Sequence, residues 1–302
     1  MSRMRQTRKN KKINLHDIHY RKPTKKDLAV GLVFFNSSKS VRLLTNYLYV
    51  VEKLKCAEIP YYTLEMYTDT PEIKDAFHIK TDMILFQKER LCHLLEKKIP
   101  ATYTKLMFID CDVIFDDESW YSKLSKALDT YEVIQPFSKV CRLDITYKKC
   151  LEVDSSSASY YPMKRNQMGE PGFVWAFQRN WFREKGFYQY AVLGGGDRVS
   201  SFSWLKAHHW KFLHPLENAK SRADYSKLVG NVKVSHLNGL IYHLFHGSVD
   251  KRQRGTRHAI LKDYNDPKDA VRVTKSGAFT LRNKTLKSKV QKYFKGRDDD
   301  GI

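Results

Sequence analysis

The 302-residue chain carries 54 Lys and Arg against 33 Asp and Glu, a net charge of +21, with 42% hydrophobic and 13% aromatic residues. That composition fits a globular protein with a sizeable core and raises nucleic acid, acidic membranes and phosphate-rich ligands as partners. It excludes a membrane span, since no run of about 18 apolar residues occurs, and the five cysteines, without CxxC spacing, argue against a disulfide framework or a cysteine zinc site and for a reducing, intracellular setting.

Residues 1–26 hold ten Lys or Arg against the single acid Asp17, and they lack the apolar stretch of a secretory leader. Their high charge predicts a disordered basic tail. It reads as a solubilising leader, or as an arm for an anionic surface. A buried strand is predicted over 28–35, followed by a helix from about Ser40 with Val41, Leu44, Leu48 and Val51 at helical spacing. No GxGxxG or Walker-type glycine pattern accompanies this opening, which argues against a dinucleotide fold or a P-loop NTPase. A strand over 61–67 and a helix over 81–97 follow.

The run Leu106, Met107, Phe108, Ile109 reads as a fully buried strand, covered on both faces, that stops at Asp110, Cys111, Asp112. Ligands of open α/β sheets sit at the carboxyl ends of such strands. In extended backbone the two Asp side chains point the same way, and carboxylates that close repel unless a cation bridges them. A divalent ion carrying a phosphorylated substrate is one reading. A solvated acidic loop, continued by Asp116, Asp117 and Glu118, is the other.

An amphipathic stretch over 120–128 and a strand over 131–137 complete a β-α-β-α-β-α-β order, which predicts a doubly wound α/β sheet. Residues 138–171 show no sustained period and are predicted to be a long loop, functional or mobile. A strand over 172–178 and a short helix over 179–185 come next. Gly194, Gly195, Gly196 and Asp197 then open a helix running through Trp204. The glycines permit a sharp turn and close backbone approach to a ligand, and Asp197 either caps the helix or faces that ligand. Strands over 232–237 and 240–245 lead to His246, Gly247, Ser248 and a basic run of Lys251, Arg252, Arg254 and Arg257. In a strand His243 and His246 face opposite sides, so at most one joins a given site unless the strand has ended. A His beside a glycine turn and a basic cluster points to phosphate or metal. From 258 onward a helix, a turn at Asp266 and Pro267 and a basic helical tail are expected.

A carboxylate pair closing a buried strand, a glycine-rich acidic turn and a His before Lys and Arg occur in that order. Over about 28–260 the sequence thereby resembles the GT-A glycosyltransferases, and distantly the β-1,4-galactosyltransferases. Asp110, Cys111, Asp112 match the DxD motif. Residues 171–177 match the segment leading to the glycine-rich acidic motif at 194–197, and His246 matches the late His. The chain departs from the family where Asp197 is followed by Arg198 rather than an acid, and in lacking a Trp between the glycines.

The resemblance implies a GT-A fold: α/β, Rossmann-like, with a mostly parallel twisted sheet flanked by helices in a single large domain. That domain would span 27–262, with a nucleotide-sugar half (27–137) and an acceptor half (138–262), before a helical extension at 263–302. The implied reaction moves a sugar from a nucleotide-diphosphate sugar, a UDP-sugar foremost, to a hydroxyl of a glycan, protein or other acceptor, with inversion. Asp110, Asp112 and His246 would hold Mn²⁺ or Mg²⁺, while Asn36, Lys88, Asp110, Lys251 and Arg252 would bind the donor. Asp197 would be the catalytic base, with Trp175, Gly195 and Gly196 on the acceptor side. The charge leaves a second class open, a basic nucleic-acid-binding protein or metal-dependent nuclease, although no nucleic-acid module is present.

Overall fold

Strand β1 (Leu28–Phe34) is buried at every position but one, as a strand covered on both faces must be. The structure, a computed structural model, describes residues 13–163, 168–207, 216–248 and 257–300. After β1 the chain enters α1 (Val41–Cys56), where Ser40 caps the N-terminus by accepting from the Leu43 N–H. It returns through β2 (Tyr61–Tyr67), β3 (Phe77–Lys80), α2 (Lys88–Glu96) and β4 (Lys105–Ile109). β5 (Val113–Phe115), α3 (Trp120–Ala127) and β6 (Val133–Gln135) follow, then the hairpin of β7 (Lys139–Leu143) and β8 (Cys150–Ser155). The second half brings α4 (Ser157–Tyr160), β9 (Val174–Gln178), α5 (Arg179–Glu184), α6 (Gly196–Trp204) and α7 (Lys220–Val229). Last come β10 (Val234–His236), β11 (Leu240–His243), the hairpin of β12 (Val271–Val273) and β13 (Phe279–Leu281), and α8 (Lys284–Lys295).

The main sheet has seven strands in the order β10-β6-β9-β4-β1-β2-β3. All neighbours run parallel except β9, which is antiparallel to both β4 and β6. This is the α/β class expected, with a mostly parallel sheet between helices. Alternation along β4 divides the core. Leu106 and Phe108 pack with Leu91 of α2, Phe182 of α5 and Phe202 of α6. Met107 and Ile109 pack with Val50 of α1 and Leu124 of α3 on the other face. A second sheet, β5-β11-β7-β8, stands beside the carboxyl edge of the first.

Gly31 sits opposite Phe108 in the β1–β4 register. A methyl group there would lie 2.6 Å from the Phe108 ring, so the absent side chain makes room for the aromatic. Gly31→Ala is expected to destabilise the fold by about 1–3 kcal/mol through overpacking, measured as a lower midpoint in chemical denaturation with unchanged slope.

Several expectations need correction. α1 buries Tyr47, Val50, Val51 and Leu54, whereas Val41 and Leu48 are exposed; the aromatic and aliphatic positions further along the helix set its inward face. The helix expected over 81–97 starts only at Lys88, because the Phe86 backbone is taken up in a bridge to Leu193. The presumed loop at 138–171 contains β7, β8 and α4. Its hairpin pairs Leu143 with Cys150, close enough for Cys141 and Cys150 to form a disulfide. Cysteine count and spacing could not register two residues joined by an antiparallel turn, and the inference of a reducing setting loses its support.

Residues 13–26 of the expected disordered tail are structured. From residue 13 the chain is packed: Leu15 and Ile18 are buried, Lys53 donates to both their carbonyls, and the Tyr20 hydroxyl accepts from the Phe115 N–H. Beyond 262 the chain is not simply helical, since β12 and β13 precede α8, and all three share the core of α2. The segment after α8 folds back on the start of α1. There Ser38 and Ser40 donate to Asp299 and Asp300, and the Arg42 N–H donates to Asp300.

Candidate active site

β4 ends at Ile109, leaving residues 110–112 at the carboxyl edge of the sheet. β5 pairs antiparallel with β11, which sets His243 opposite Val113, and the Leu244 N–H donates to the Asp112 carbonyl. Asp112 is thereby held against the end of β11. The strand stops at His243, and the chain turns through Gly247, whose φ of 95° is left-handed. His246 comes back to the same carboxylate: His246 Nε2 lies 3.1 Å and His243 Nε2 3.5 Å from Asp112 Oδ2. Both histidines join one cluster, the case left open for a strand that has ended, because the alternation of β11 stops at His243. Ligand atoms of Asp112, His243 and His246 all lie within 4.8 Å of one another. One carboxylate and two imidazoles on a mostly buried patch form a donor set that suits a divalent transition metal, Mn²⁺ included.

Asp110 takes a different partner. Its Oδ1 accepts from Lys88 Nζ at 2.9 Å, and it lies outside that three-residue cluster. The reading that one ion bridges Asp110 and Asp112 assumed extended backbone, which ends one residue earlier. Burial pushes the Asp110 carboxyl up, with the Lys88 ammonium pulling against it and Asp112 adding to it. At Lys88 burial pulls the other way, but the charges of Asp110, Asp197 and Glu89 outweigh it and hold the ammonium protonated.

Lys88, Asp110 and Asp197 line one narrow cavity together with Phe173 and Trp175. Its volume, ≈ 10 Å³, is about that of a single water site. Phe173 has a left-handed φ of 77°, a strained conformation for a bulky aromatic. It is over-determined from two sides. Its carbonyl accepts from the Asp110 N–H at 2.8 Å, and its ring lies 5.0 Å from that of His243. Phe173 therefore joins the Asp110 side of the edge to the histidine side.

Gly194 and Gly195, with φ of 89° and 94°, make the turn into α6, and Gly195 occupies the cap. Asp197 is thus not the cap but a first-turn residue. Its Oδ1 accepts from the Arg198 N–H at 2.7 Å, and its Oδ2 faces Gly172 so closely that a methyl there would lie 2.8 Å away. Gly196 is buried against α2.

Two expected ligand contacts are used otherwise. Trp175 is 2% exposed, stacked edge-on against Trp204, with its indole N–H on the Pro171 carbonyl; as a residue of central strand β9 it cannot offer a face to a sugar. The Asn36 amide is committed to its own loop, donating to the Ser40 carbonyl and Glu72 and accepting from the Ser40 N–H. Lys251 and Arg252 lie outside the described residues. Glu89 and Phe173 were not anticipated in the site, whereas His243 stood as the alternative ligand to His246. A Glu directly after Lys88 carried no motif, and a positive φ at Phe173 has no sequence signature.

No family model matches the chain, and no curated protein matches it. Among solved structures it is similar to the catalytic domain of Drosophila β1,4-galactosyltransferase 7 in complex with xylobiose, at 9% identity over 87% of this chain and 98% of that one, with a TM-score of 0.41. It is also similar to glucosyl-3-phosphoglycerate synthase from Mycobacterium tuberculosis in complex with Mg²⁺ and UDP, at 13% identity over 85% and 87% of the two chains, with a TM-score of 0.38. A third is mannosyl-3-phosphoglycerate synthase from Rubrobacter xylanophilus, at 9% identity over 84% and 83%, with a TM-score of 0.39. The roles below rest on this chain's own residues.

Proposed function

We propose that the protein is a metal-dependent glycosyltransferase that moves a sugar from a nucleotide-diphosphate sugar, a UDP-sugar foremost, to an acceptor hydroxyl with inversion. The observation that carries this reading is the convergence of Asp112, His243 and His246 beside the Lys88–Asp110 pair and Asp197, at the carboxyl edge of a mostly parallel sheet. Asp112, His243 and His246 would hold a divalent ion, Mn²⁺ before Mg²⁺ given the imidazoles. Bound there, such an ion supplies Lewis-acid neutralisation of a diphosphate leaving group. Lys88 holds Asp110 in place on the donor side, and Lys251 and Arg252 add positive charge for the phosphates. Asp197, fixed by the Arg198 N–H, takes the proton of the acceptor hydroxyl at Oδ2 as that oxygen attacks the anomeric carbon. On the acceptor side Gly195 and Gly196 shape the turn that carries Asp197. A single carboxylate acting as base fits one displacement, hence inversion.

Among the described residues no helix is long and apolar enough to cross a membrane. A panel of nucleotide sugars with Mn²⁺ is scored by release of nucleoside diphosphate. Release from at least one donor, lost in chelator, is expected; no release from any donor overturns the reading.

A further inference from the structure

Glu89 is a carboxyl with 4% exposure in the first turn of α2, one residue from the lysine that serves the site. It faces the glycine turn directly: a methyl on Gly196 would lie 2.7 Å from each of its carboxyl oxygens. The start of α6 can therefore reach its position only because residue 196 has no side chain, and Glu89 fills the space beneath Asp197. The titratable groups around it are Lys88 and Cys92 on its own helix, Asp110 at the end of β4, Asp197 on α6 and Tyr225 on α7. Lys88 is thus the cation for as many as three carboxylates.

We propose that Glu89 is a positioning residue for Asp197: its carboxyl supports the 194–197 turn from below and sets the charge of the Lys88, Asp110 and Asp197 group. The proposal rests on the glycosyltransferase reading for its effect on turnover, but not for its effect on the fold. Burial raises the Glu89 carboxyl to about 7, with the Lys88 ammonium opposing and Asp197 reinforcing the rise. Neutral Glu89 leaves Lys88 to Asp110 and Asp197. Once ionised, it adds a negative charge under Asp197.

The sign for stability follows from linkage. A carboxyl raised in the folded state keeps its proton where the unfolded chain has released it, so stability falls with rising pH from the ordinary glutamate range up to about 7 and then levels. Glu89→Gln has no proton to lose. The melting temperature of E89Q relative to wild type should therefore climb between pH 5 and pH 7, and a constant difference overturns the charge-setting role. This arm uses the full chain without substrate, so it reads out even if no nucleotide sugar is turned over. With the active donor, the ratio of wild-type to E89Q kcat is expected to fall through one ionisation near pH 7, while the donor KM stays within twofold. Glu89→Ala should lose at least tenfold in kcat, with E89Q restoring most of it. A kcat ratio that is flat across pH, or a loss confined to KM, overturns the coupling to Asp197.

Discussion

Asp112→Ala should abolish metal-dependent binding of UDP, with a loss of affinity of about 100-fold or more. Asp112 supplies the only negative charge among the three clustered ligands, so its removal leaves two neutral imidazoles facing a cation. Changes to residues that merely orient metal ligands cost about 10–100-fold, and removal of a ligand itself should cost more. The fold should tolerate the change, because the backbone bond from Leu244 to Asp112 uses the carbonyl and not the side chain. Calorimetric titration of UDP in Mn²⁺, repeated in chelator, measures the effect. A variant that keeps wild-type affinity and the same chelator sensitivity removes Asp112 from the metal site. His243→Ala and His246→Ala should each weaken Mn²⁺ binding, since both approach the same carboxylate oxygen.

Asp197→Asn should separate binding from transfer. Asparagine keeps the size of the side chain and can still accept from the Arg198 N–H through its carbonyl oxygen. What it cannot do is take a proton. Loss of a positioned general base costs roughly 10²–10⁴-fold in turnover, while the proposed donor side, Asp110, Asp112 and the histidines, is left in place. The expected result is a kcat lowered by that factor with donor KM within twofold. Turnover within tenfold of wild type would assign the base elsewhere.

The elements that the sequence made legible are those with one dominant signal. The buried run ending at Asp110 became β4, the two strands before His246 became β10 and β11, and the glycines at 194–196 became the turn into α6. Segments whose structure depends on a distant partner were misread. Residues 139–155 look polar and aperiodic because β8 is largely exposed and gains its place by pairing with β7. The Tyr20 hydroxyl finds its partner at Phe115, 95 residues away, which no local pattern announces. In the candidate site, motif spacing pointed to Asp110, Asp112, Asp197 and His246. It could not separate Asp110, which pairs with Lys88, from Asp112, which faces the histidines, because that division is made where the strand stops. Asn36 and Trp175 were chosen for residue type and position, and the structure uses both in its own loop and core.

The contact of Ser38 with Asp299 has a consequence in time rather than in space. The two residues are 261 apart in the chain. At about 5–20 residues per second on a ribosome, roughly 13–50 s separate the synthesis of one from that of the other. During that interval β1, α1 and β2 can assemble, but Ser38, Ser40 and the Arg42 N–H must be satisfied by water or by a chaperone. The start of α1 therefore stays open until residues 299 and 300 have left the ribosome.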